Sequence, residues 1–453
     1  MEDTIAAIST PIGEGGIAII RLSGPRAFDI ADAMFFSPRG KPSQFPTHTI
    51  HFGTIGKNGD LIDQVMLTVM RAPRTYTAED VVEINCHGGL LTAKKVLASC
   101  LSQGARLAQP GEFTKRAFLN GRIDLTQAEA VMDLISAKTD LAHAAAAHAL
   151  EGHLARKIEV MRDRLITVVA HLEAHIDFPD EDIATDTREQ LRGHVQGILR
   201  TLEDLIATAH EGKVLRDGIA VAIIGRPNAG KSSLMNVLLG HDRSIVTPVA
   251  GTTRDTIEET ANIRGIPVRL TDTAGIRHAR GHVERIGVER SRKSLLTSDL
   301  ILQVIDASRA YSAADSELLA HCNGKSTLRV INKIDLPRKL KLPHNFLDVI
   351  TAEVSTLTGK GIEKLKDLIE EQVWSGCASK NALDVVINER QADAIRRSIN
   401  LLTDGTHAMS AGEPIEIISQ QFRLGLDAIG EIVGKTSTED LLDKIFSTFC
   451  IGK

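Results

Sequence analysis

Apolar and polar positions change their spacing several times along the chain. In residues 1–120, short apolar runs separated by Pro and Gly turns predict four β-strands and one helix. The strands are Gly15–Leu22, Thr47–Ile55, Val65–Met70 and Val81–Ile84, and the helix is Leu90–Gln103. This combination is typical of a small α+β domain.

From Thr126 onward the apolar residues recur at helical spacing. Thr126 and Glu129 predict a capping box at the start of an alanine-rich helical stretch that ends near Leu150. Helical spacing continues over Glu151–His175, and a further helix is expected up to about Ala209. These residues therefore predict a helical domain.

Strands and helices alternate in residues 215–375, which is the pattern of a parallel sheet covered by helices. Helical spacing returns after Ser379 and includes a final helix, Glu439–Phe449. We predict a multidomain α/β chain in which a nucleotide-binding domain with a mostly parallel sheet is inserted into an all-helical domain. The predicted boundaries are 1–120 for the α+β domain, 121–212 and 379–453 for the two parts of the helical domain, and 213–378 for the inserted domain.

The composition narrows the choice of partners and compartment. The 453 residues carry 53 basic and 58 acidic side chains, and the net charge of −5 argues against general electrostatic binding of nucleic acid. The five cysteines are scattered without a C-x-x-C pair, which favours a reducing compartment over a disulfide framework or a structural zinc site. No apolar run reaches membrane-spanning length and no targeting signal is evident, so we expect a soluble cytoplasmic protein.

The segment Gly225–Ser233 matches the phosphate-binding pattern G-x-x-x-x-G-K-[ST]. It lies between an apolar strand, Ile219–Ile224, and a predicted helix, Ser232–Leu239, as such a loop requires. In this kind of loop the backbone N–H groups surround the phosphates, Lys231 neutralises β- and γ-phosphate charge, and Ser232 binds Mg²⁺. The predicted phosphate contacts are Asn228, Ala229, Gly230, Lys231, Ser232 and Ser233.

Two later motifs turn the phosphate loop into a predicted GTP site. The first follows a strand, is expected near the Mg²⁺ and the γ-phosphate, and consists of Asp272, Thr273, Ala274 and Gly275. In the second, Asn332 and Asp335 follow another strand, and Lys333 would pack along the base. The Asp335 carboxylate can accept hydrogen bonds from N1–H and the 2-amino group of guanine, a pair that adenine does not offer. The last predicted contacts are Ser355, Thr356 and Leu357, with Thr356 in place of the more usual alanine.

The segment between these motifs is expected to bind metal ions and to activate water. Thr253 is favoured over Thr252 as the Mg²⁺ ligand, with a Gly-Thr turn that has no ligand role as the alternative. Ile276 stands where other GTPases carry a water-orienting Gln, so Glu284 could orient the water instead. By its position alone Glu284 is more simply a solvated helix residue. The amide oxygen of Asn228 could bind K⁺ or, taken alone, stabilise the turn.

Two sets of segments carry a family resemblance. The segments of the nucleotide-binding domain, which are Gly225–Ser233, Ile245–Asp255, Asp272–Arg277 and Val283–Gly287, resemble the TrmE–Era–Der branch of potassium-dependent GTPases. The segments outside this domain, which are Asp3–Ala6, Pro11–Gly16, Pro110–Asn120, Ile176–Glu181 and Phe449–Lys453, narrow the resemblance to the MnmE (TrmE) family. The resemblance therefore covers essentially the whole chain.

The resemblance implies a reaction and its cofactors. With an FAD-dependent partner, MnmG (GidA), such proteins place a carboxymethylaminomethyl or aminomethyl group on carbon 5 of the wobble uridine of certain tRNAs. The one-carbon unit would come from 5-formyl- or 5,10-methylene-tetrahydrofolate. GTP hydrolysis, with Mg²⁺ and K⁺, would drive pairing of the nucleotide domains within a homodimer or a larger complex with the partner.

The resemblance also implies roles for particular residues. The implied folate-binding residues are Arg21, Glu83, Arg122 and Lys453. The implied K⁺ ligands are Asn228, Thr247, Val249 and Thr252, of which Thr247 and Thr252 also belong to the GTP site. The implied catalytic residues are Lys231, Glu284 as the water-orienting carboxylate, and Cys450 as a thiol. Without the resemblance, Arg21 and Arg122 would be read as surface residues, and Cys450 as a residue that packs the last turn of the final helix.

Three other interpretations remain. An Era- or Der-like ribosome-assembly GTPase would carry a KH domain or a second GTPase domain, and the sequence has no second match to the full pattern G-x-x-x-x-G-K-[ST]. A membrane-anchored switch would be prenylated at Cys450, but Gly452 and Lys453 suit prenylation poorly and no polybasic stretch precedes them. An inactive scaffold would not need intact Lys231, Ser232 and Asp272.

Overall fold

The structure is a computed structural model of the chain. It describes residues 3–57, 60–177, 185–240, 259–272, 297–320, 325–343, 349–375 and 385–453. The described strands are β1 (Ile5–Ile8), β2 (Gly15–Ser23), β3 (Phe35–Phe36), β4 (Thr49–Lys57), β5 (Asp60–Met70), β6 (Val81–Gly88), β7 (Arg106–Leu107), β8 (Ile219–Gly225), β9 (Glu259–Ile263), β10 (Ile266–Asp272), β11 (Leu300–Asp306), β12 (Ser326–Asn332) and β13 (Thr351–Glu353).

The α-helices are given in chain order, within the same described ranges. They are α1 (Ala27–Met34), α2 (Leu90–Ser102), α3 (Glu112–Leu119), α4 (Leu125–Ser136), α5 (Asp140–Leu150), α6 (His153–Asp177), α7 (Thr185–Ala207), α8 (Ala209–Asp217), α9 (Lys231–Leu239), α10 (Ala313–Ala320), α11 (Ile362–Val373), α12 (Glu389–Ala411), α13 (Ile415–Val433) and α14 (Glu439–Phe446). In the described parts of the chain, no helix is both long and apolar enough to cross a membrane.

One compact unit consists of Met1–Met132, Leu150–Ala184 and Asp404–Lys453. Its seven-stranded sheet has the order β3-β4-β5-β6-β2-β1-β7, in which only the β1–β7 pair is parallel. Alternate residues of β2, such as Ile20 and Leu22, are buried with Val96 and Cys100 of α2. This alternation is expected of a strand with one face on the core, because successive side chains point to opposite faces of a sheet. The unit also contains α6 and α13, which pack against each other.

The other compact unit consists of Asp133–Ala149 and Thr185–Thr403. Its six-stranded sheet has the order β13-β12-β11-β8-β10-β9 and is parallel except for β9 at one edge. The central strand β11 is buried along its whole length, because helices cover both faces of a parallel sheet. The predicted α/β insertion between helical segments is therefore confirmed. Four loops leave the carboxyl ends of β8, β11, β12 and β13 at one edge of this sheet, where α/β proteins bind their ligands.

The capping box predicted at Thr126 and Glu129 is wrong, because the structure places a box two residues earlier. The Asp124 carboxylate accepts hydrogen bonds from the backbone N–H groups of Thr126 (2.8 Å) and Gln127 (3.1 Å). The Gln127 side-chain oxygen accepts from the Asp124 N–H at 3.1 Å. Asp caps a helix as well as Thr does, and the earlier start places Leu125 in the buried cluster of α4.

The final helix begins at Glu439 as predicted, but it ends at Phe446 and not at Phe449. The chain turns there, with the Phe449 N–H bonded to the carbonyl of Phe446 at 3.0 Å. The turn lets Cys450 and Lys453 use their backbone carbonyls as acceptors for the N–H groups of Gly111 and Phe113. Tertiary hydrogen bonds thus replace the last helical turn that the sequence spacing predicts.

Candidate functional site

The phosphate-binding motif forms the turn between β8 and α9. Gly230 has φ +97° and Asn228 has φ +63°, both in the left-handed region. A Cβ atom at Gly230 would collide with the side-chain amide of Asn332, so glycine is required both by its backbone angle and by this close approach. The backbone at the amino end of α9 is therefore free of side-chain bulk at Gly230, as an anion site needs.

Lys231 is the first residue of α9, and its ammonium group lies across the loop. Its Nζ donates to the carbonyls of Gly225 and Arg226, each at 2.9 Å, and the residue is only 8% exposed. Because these bonds hold the positive charge above the turn, the lysine is preorganised for an anionic ligand. Ser232 and Ser233 follow on the same helix and are exposed.

Asn332 ends β12 and links three loops. It is fully buried; its amide nitrogen donates to the carbonyl of Ala229 at 3.0 Å, and its oxygen accepts from the N–H of Thr356 at 3.2 Å. The structure thus brings the asparagine of the predicted base-binding motif together with the phosphate loop and the loop after β13. Because both the nitrogen and the oxygen of this buried amide are hydrogen-bonded, the positions of the three loops relative to one another are strongly constrained.

Asp335 is brought against the last predicted contact segment. Its Oδ1 accepts from the Ser355 hydroxyl at 2.6 Å, and the same serine oxygen accepts from the N–H of Thr358 at 3.2 Å. Leu357 is 83% exposed and has no packing role in this arrangement. Ser355 therefore orients the carboxylate that is predicted to recognise the base, and the substitution at Thr356 leaves its backbone contact with Asn332 intact.

Lys333 joins the same loops through its side chain. Its Nζ donates to the carbonyl of Asn228 at 2.7 Å and lies 2.7 Å from Oδ2 of Asp306 at the end of β11. Burial of Asp306 acts to raise the pKa of its carboxyl group. Hydrogen bonds from Lys333 and Ser308 outweigh burial, and the pKa is lowered.

Several predicted residues cannot be located in this site. Thr247, Val249, Thr252, Thr253, Thr273, Ala274, Gly275 and Glu284 lie outside the described residues. Asp272 ends β10 as predicted, next to β8 and in register with Ile223. The assignments to Mg²⁺, K⁺ and the attacking water therefore stay predictions.

A second cluster lies in the unit that contains the seven-stranded sheet. Arg21 on β2 and Glu83 on β6 are cross-strand neighbours, and Arg21 Nε donates to Glu83 Oε1 at 2.8 Å. The Arg21 guanidinium stands 5.4 Å from the ring centre of Tyr76, and its Nη1 donates to the carbonyl of Gly452 at 3.4 Å. The structure therefore brings a carboxylate, a guanidinium and an aromatic ring to the C-terminal Cys-Ile-Gly-Lys segment.

Lys453, Cys450 and Arg122 belong to the same region. Burial lowers the pKa of Lys453, and the positive charge of Arg21 lowers it further, while the charges of Glu83 and Cys450 act in the opposite direction. Cys450 is exposed. Arg122 is also exposed, and its positive charge acts to lower the pKa of the Tyr76 hydroxyl, which burial raises overall. All four predicted folate-binding residues thus lie around one cluster, together with the predicted thiol.

Sequence reasoning missed two residues of these clusters. Asp306 is the last residue of a fully buried strand. From this position a carboxylate reaches the edge of a parallel sheet where ligands bind, so the apolar run before Asp306 could have indicated that it belongs to the site. Tyr76 donates to or accepts from Thr114 at 2.8 Å, a contact across 38 residues that no local pattern reveals.

The fold and this geometry define a P-loop GTPase: a parallel sheet whose edge carries Lys231, Asn332 and Asp335 on loops that contact one another. The family model described as the MnmE helical domain matches residues 125–450, and the model described as the GTP-binding protein TrmE N-terminus matches residues 4–122. The chain belongs to the MnmE (TrmE) family of tRNA modification GTPases.

Full-length relatives agree with this membership. A protein of Clostridioides difficile named tRNA modification GTPase MnmE is 46% identical over 457 residues, covering 100% of both chains. A protein of the same name from Geobacillus kaustophilus is 46% identical and covers 100% of this chain and 99% of its own.

Among solved structures, Aquifex aeolicus Era bound to GDP and AlF4⁻ is 31% identical over 40% of this chain and 65% of its own, with a TM-score of 0.27. The G domain of T. maritima FeoB is 27% identical over 34% of this chain and 97% of its own, with a TM-score of 0.26.

Proposed function

We propose that the chain hydrolyses GTP to drive modification of carbon 5 of a wobble uridine in tRNA. It would act in the cytoplasm with an MnmG (GidA)-type FAD protein and install a carboxymethylaminomethyl or aminomethyl group. The observation that carries the proposal is the pair of hydrogen bonds made by buried Asn332, which joins the phosphate loop to the loop after β13. Ser355 of that loop in turn bonds the Asp335 carboxylate. This arrangement suits a ligand with a guanine base at one end and phosphates at the other.

Within this proposal, the described residues have distinct tasks. Lys231 would stabilise the charge that develops on the transferred phosphoryl group, since its ammonium is already held over the loop. Asp335 would bind the guanine edge, with Ser355 fixing its carboxylate. Ser232, with Thr253, would bind Mg²⁺. Asn228 would contribute to a K⁺ site together with Thr247, Val249 and Thr252, and Glu284 would orient the water.

The cluster around Arg21 supports a folate as the one-carbon donor. Arg21 and Lys453 offer the positive charge that folate carboxylates require, and Glu83 can accept hydrogen bonds from a pterin amino group and ring N–H. The ring centre of the partly buried Tyr76 lies 5.4 Å from the Arg21 guanidinium, so this residue offers aromatic surface beside it. A tetrahydrofolate would supply the one-carbon unit, and these residues would bind and orient it near Cys450.

An exposed apolar face supports a homodimer. Phe52 on β4 and Met66 on β5 are paired in register, and they are 58% and 43% exposed. Ile50, two residues before Phe52 and on the same face of β4, is 57% exposed. Contiguous apolar side chains of this size on a sheet surface are typical of an interface, and a second copy of the chain is the occupant that we propose.

Nucleoside analysis of tRNA from cells that lack this protein tests the proposed reaction. The expected result is the loss of a 5-substituted wobble uridine, restored by the wild-type gene and not by a Lys231→Ala variant. An unchanged set of wobble nucleosides, with a defect in ribosome assembly instead, would favour the Era- or Der-like alternative.

The cation role is tested separately by exchanging K⁺ for Na⁺ at constant ionic strength. We expect the rate of GTP hydrolysis to fall by at least about tenfold, since a K⁺ ion would supply the positive charge that other GTPases take from an arginine. GTP affinity should change little. Equal turnover in the two salts would refute the K⁺ site.

A further inference from the structure

The ammonium group of Lys333 is shared between two oxygen atoms from separate parts of the chain. Nζ lies 2.7 Å from the backbone carbonyl of Asn228 in the phosphate loop and 2.7 Å from Oδ2 of Asp306. The other carboxylate oxygen of Asp306 accepts from the N–H and the hydroxyl of Ser308, at 2.9 and 2.6 Å. Arg309 is a weaker partner, at 3.8 Å. The carboxylate is therefore fixed by its own loop and directed at Lys333.

Two of the three groups in this contact have an unusual backbone conformation. Lys333 and Asn228 both have φ +63°, a region that residues with a side chain seldom adopt. Such a conformation persists only where the surrounding contacts hold it, and it is enriched at functional sites. The Asp306 side chain is only 7% exposed, so its attraction for Lys333 is not screened as a surface pair would be.

We propose that Asp306 is a positioning residue for nucleotide binding. Its carboxylate holds the Lys333 ammonium on the Asn228 carbonyl and thereby locks the base-binding loop onto the phosphate loop. The proposal rests on the nucleotide site proposed above. Both carboxylate oxygens of Asp306 are bonded within the protein, one to Lys333 and the other to Ser308, so Asp306 would act on the nucleotide through Lys333.

The test is the affinity for GTP and GDP of Asp306→Asn, an isosteric change that removes the charge. We expect both affinities to fall about tenfold, since a hydrogen bond to a charged group is worth ~1.5 kcal/mol or more. The turnover number at saturating GTP should stay within about twofold, because the interaction is the same in ground and transition states. The matched control is Asp299→Asn at the opposite end of β11, where the carboxylate accepts from the Ala220 N–H, and it should bind both nucleotides normally.

A double-mutant cycle separates positioning from general damage. Lys333→Met alone should weaken binding, and Asp306→Asn should add little in that background, since its effect passes through the lysine. If Asp306→Asn has no effect in the wild type, or the same effect with and without Lys333, the positioning role is overturned while the nucleotide site stands. If Lys333→Met leaves GTP binding unchanged, the proposed place of Lys333 in the site fails as well.

Discussion

At the scale of single residues, the surroundings of each cysteine separate the buried thiols from the one near the predicted reaction site. Burial raises the pKa of Cys86 to about 11 and that of Cys100 to about 12, so both thiols stay protonated near neutral pH. Cys450 is exposed, and its backbone carbonyl accepts from the N–H of Lys453 at 3.3 Å. Cys450 is therefore the described cysteine suited to chemistry with a bound substrate.

We predict that Cys450→Ser abolishes tRNA modification and leaves GTP hydrolysis within about twofold of wild type, because a hydroxyl cannot replace a thiol as a nucleophile at neutral pH. The neighbouring change Ile451→Ala, at an exposed side chain of the same turn, is the control and should retain both activities. Modification and hydrolysis are measured on the same preparation. Normal amounts of modified nucleoside with Cys450→Ser would show that the thiol is structural.

The place of a site residue in the fold was predictable where the residue belongs to a local sequence motif. Lys231, Asn332 and Asp335 lie where their motifs predicted, because strand-loop-helix geometry is set by nearby residues. Tyr76 was missed because its partner Thr114 is 38 residues away in the sequence. The position of Asp306 at the end of an apolar run could have been noticed, but its contact with Lys333, across 27 residues, is not visible in a local pattern.

At the scale of elements, α3 is held in place by a buried ion network. Arg116 is fully buried and contacts carboxylates of Asp3, Glu79 and Glu112 at 2.8, 3.2 and 3.2 Å. Burial acts to raise the pKa of Glu112, but hydrogen bonds from Arg106, from the N–H of Gln109 and from Arg116 outweigh it and lower the pKa. A carboxyl group whose pKa is lower in the folded state stabilises the fold at pH values above the pKa that it has in the unfolded chain. That contribution is lost as the pH falls through the folded-state pKa.

We predict that Glu112→Gln reduces the free energy of local opening around α3 by roughly 1.5–3 kcal/mol at neutral pH, the usual value of hydrogen bonds to a charged partner. The difference from wild type should disappear in acid, where the wild-type carboxyl is itself protonated. Hydrogen exchange of the α3 amides at the two pH values measures it. The control is Asp443→Asn, whose carboxylate is 62% exposed in its pair with Lys115 and should cost well under ~1 kcal/mol. An equal difference at both pH values would contradict an ionic origin.

The sequence prediction missed the short elements β1, β3, β7, α1 and α3, and β5 begins at Asp60, before its predicted start at Val65. Two further errors at element ends have identifiable causes. The α4 cap was misplaced because Asp124 and Thr126 are both good capping residues, and the hydrogen bonds of the Asp124 carboxylate to the N–H groups of Thr126 and Gln127 identify Asp124 as the cap. The last helix was drawn too long because helical spacing continues to Phe449, while hydrogen bonds to Gly111 and Phe113 turn the chain earlier.

At the scale of the whole molecule, the order of motifs predicted the fold class: an α+β domain, then a P-loop GTPase domain inserted in helical segments. The change from short apolar runs between Pro and Gly turns to helical spacing is visible in the sequence without any tertiary contact. A surface that pairs two chains is harder to predict from the sequence than the fold class, since exposed apolar residues of a strand cannot be told from core residues. The sheet face that carries Ile50, Phe52 and Met66 became recognisable only from the structure.

We predict that Phe52→Asp prevents formation of the proposed homodimer and leaves a monomer, because a charge on this apolar face would lose its solvation in the interface. GTP affinity of the isolated chain should be unchanged. The matched control is Leu424→Asp on α13, an apolar side chain that is 45% exposed. Light scattering coupled to size-exclusion chromatography gives the mass of each variant, and a Phe52→Asp protein that still runs as a dimer would remove this face as the interface.

The central claim is that this chain recognises guanosine triphosphate through Asp335, and base specificity tests it most directly. Wild type should bind GTP and exclude ATP, because only guanine offers N1–H and a 2-amino group to the carboxylate. Asp335→Asn should lose affinity for GTP and gain it for xanthosine triphosphate, whose carbonyl at position 2 accepts a hydrogen bond from the new amide. Wild type that binds ATP as well as GTP, or Asp335→Asn that keeps its preference for GTP, would contradict the account.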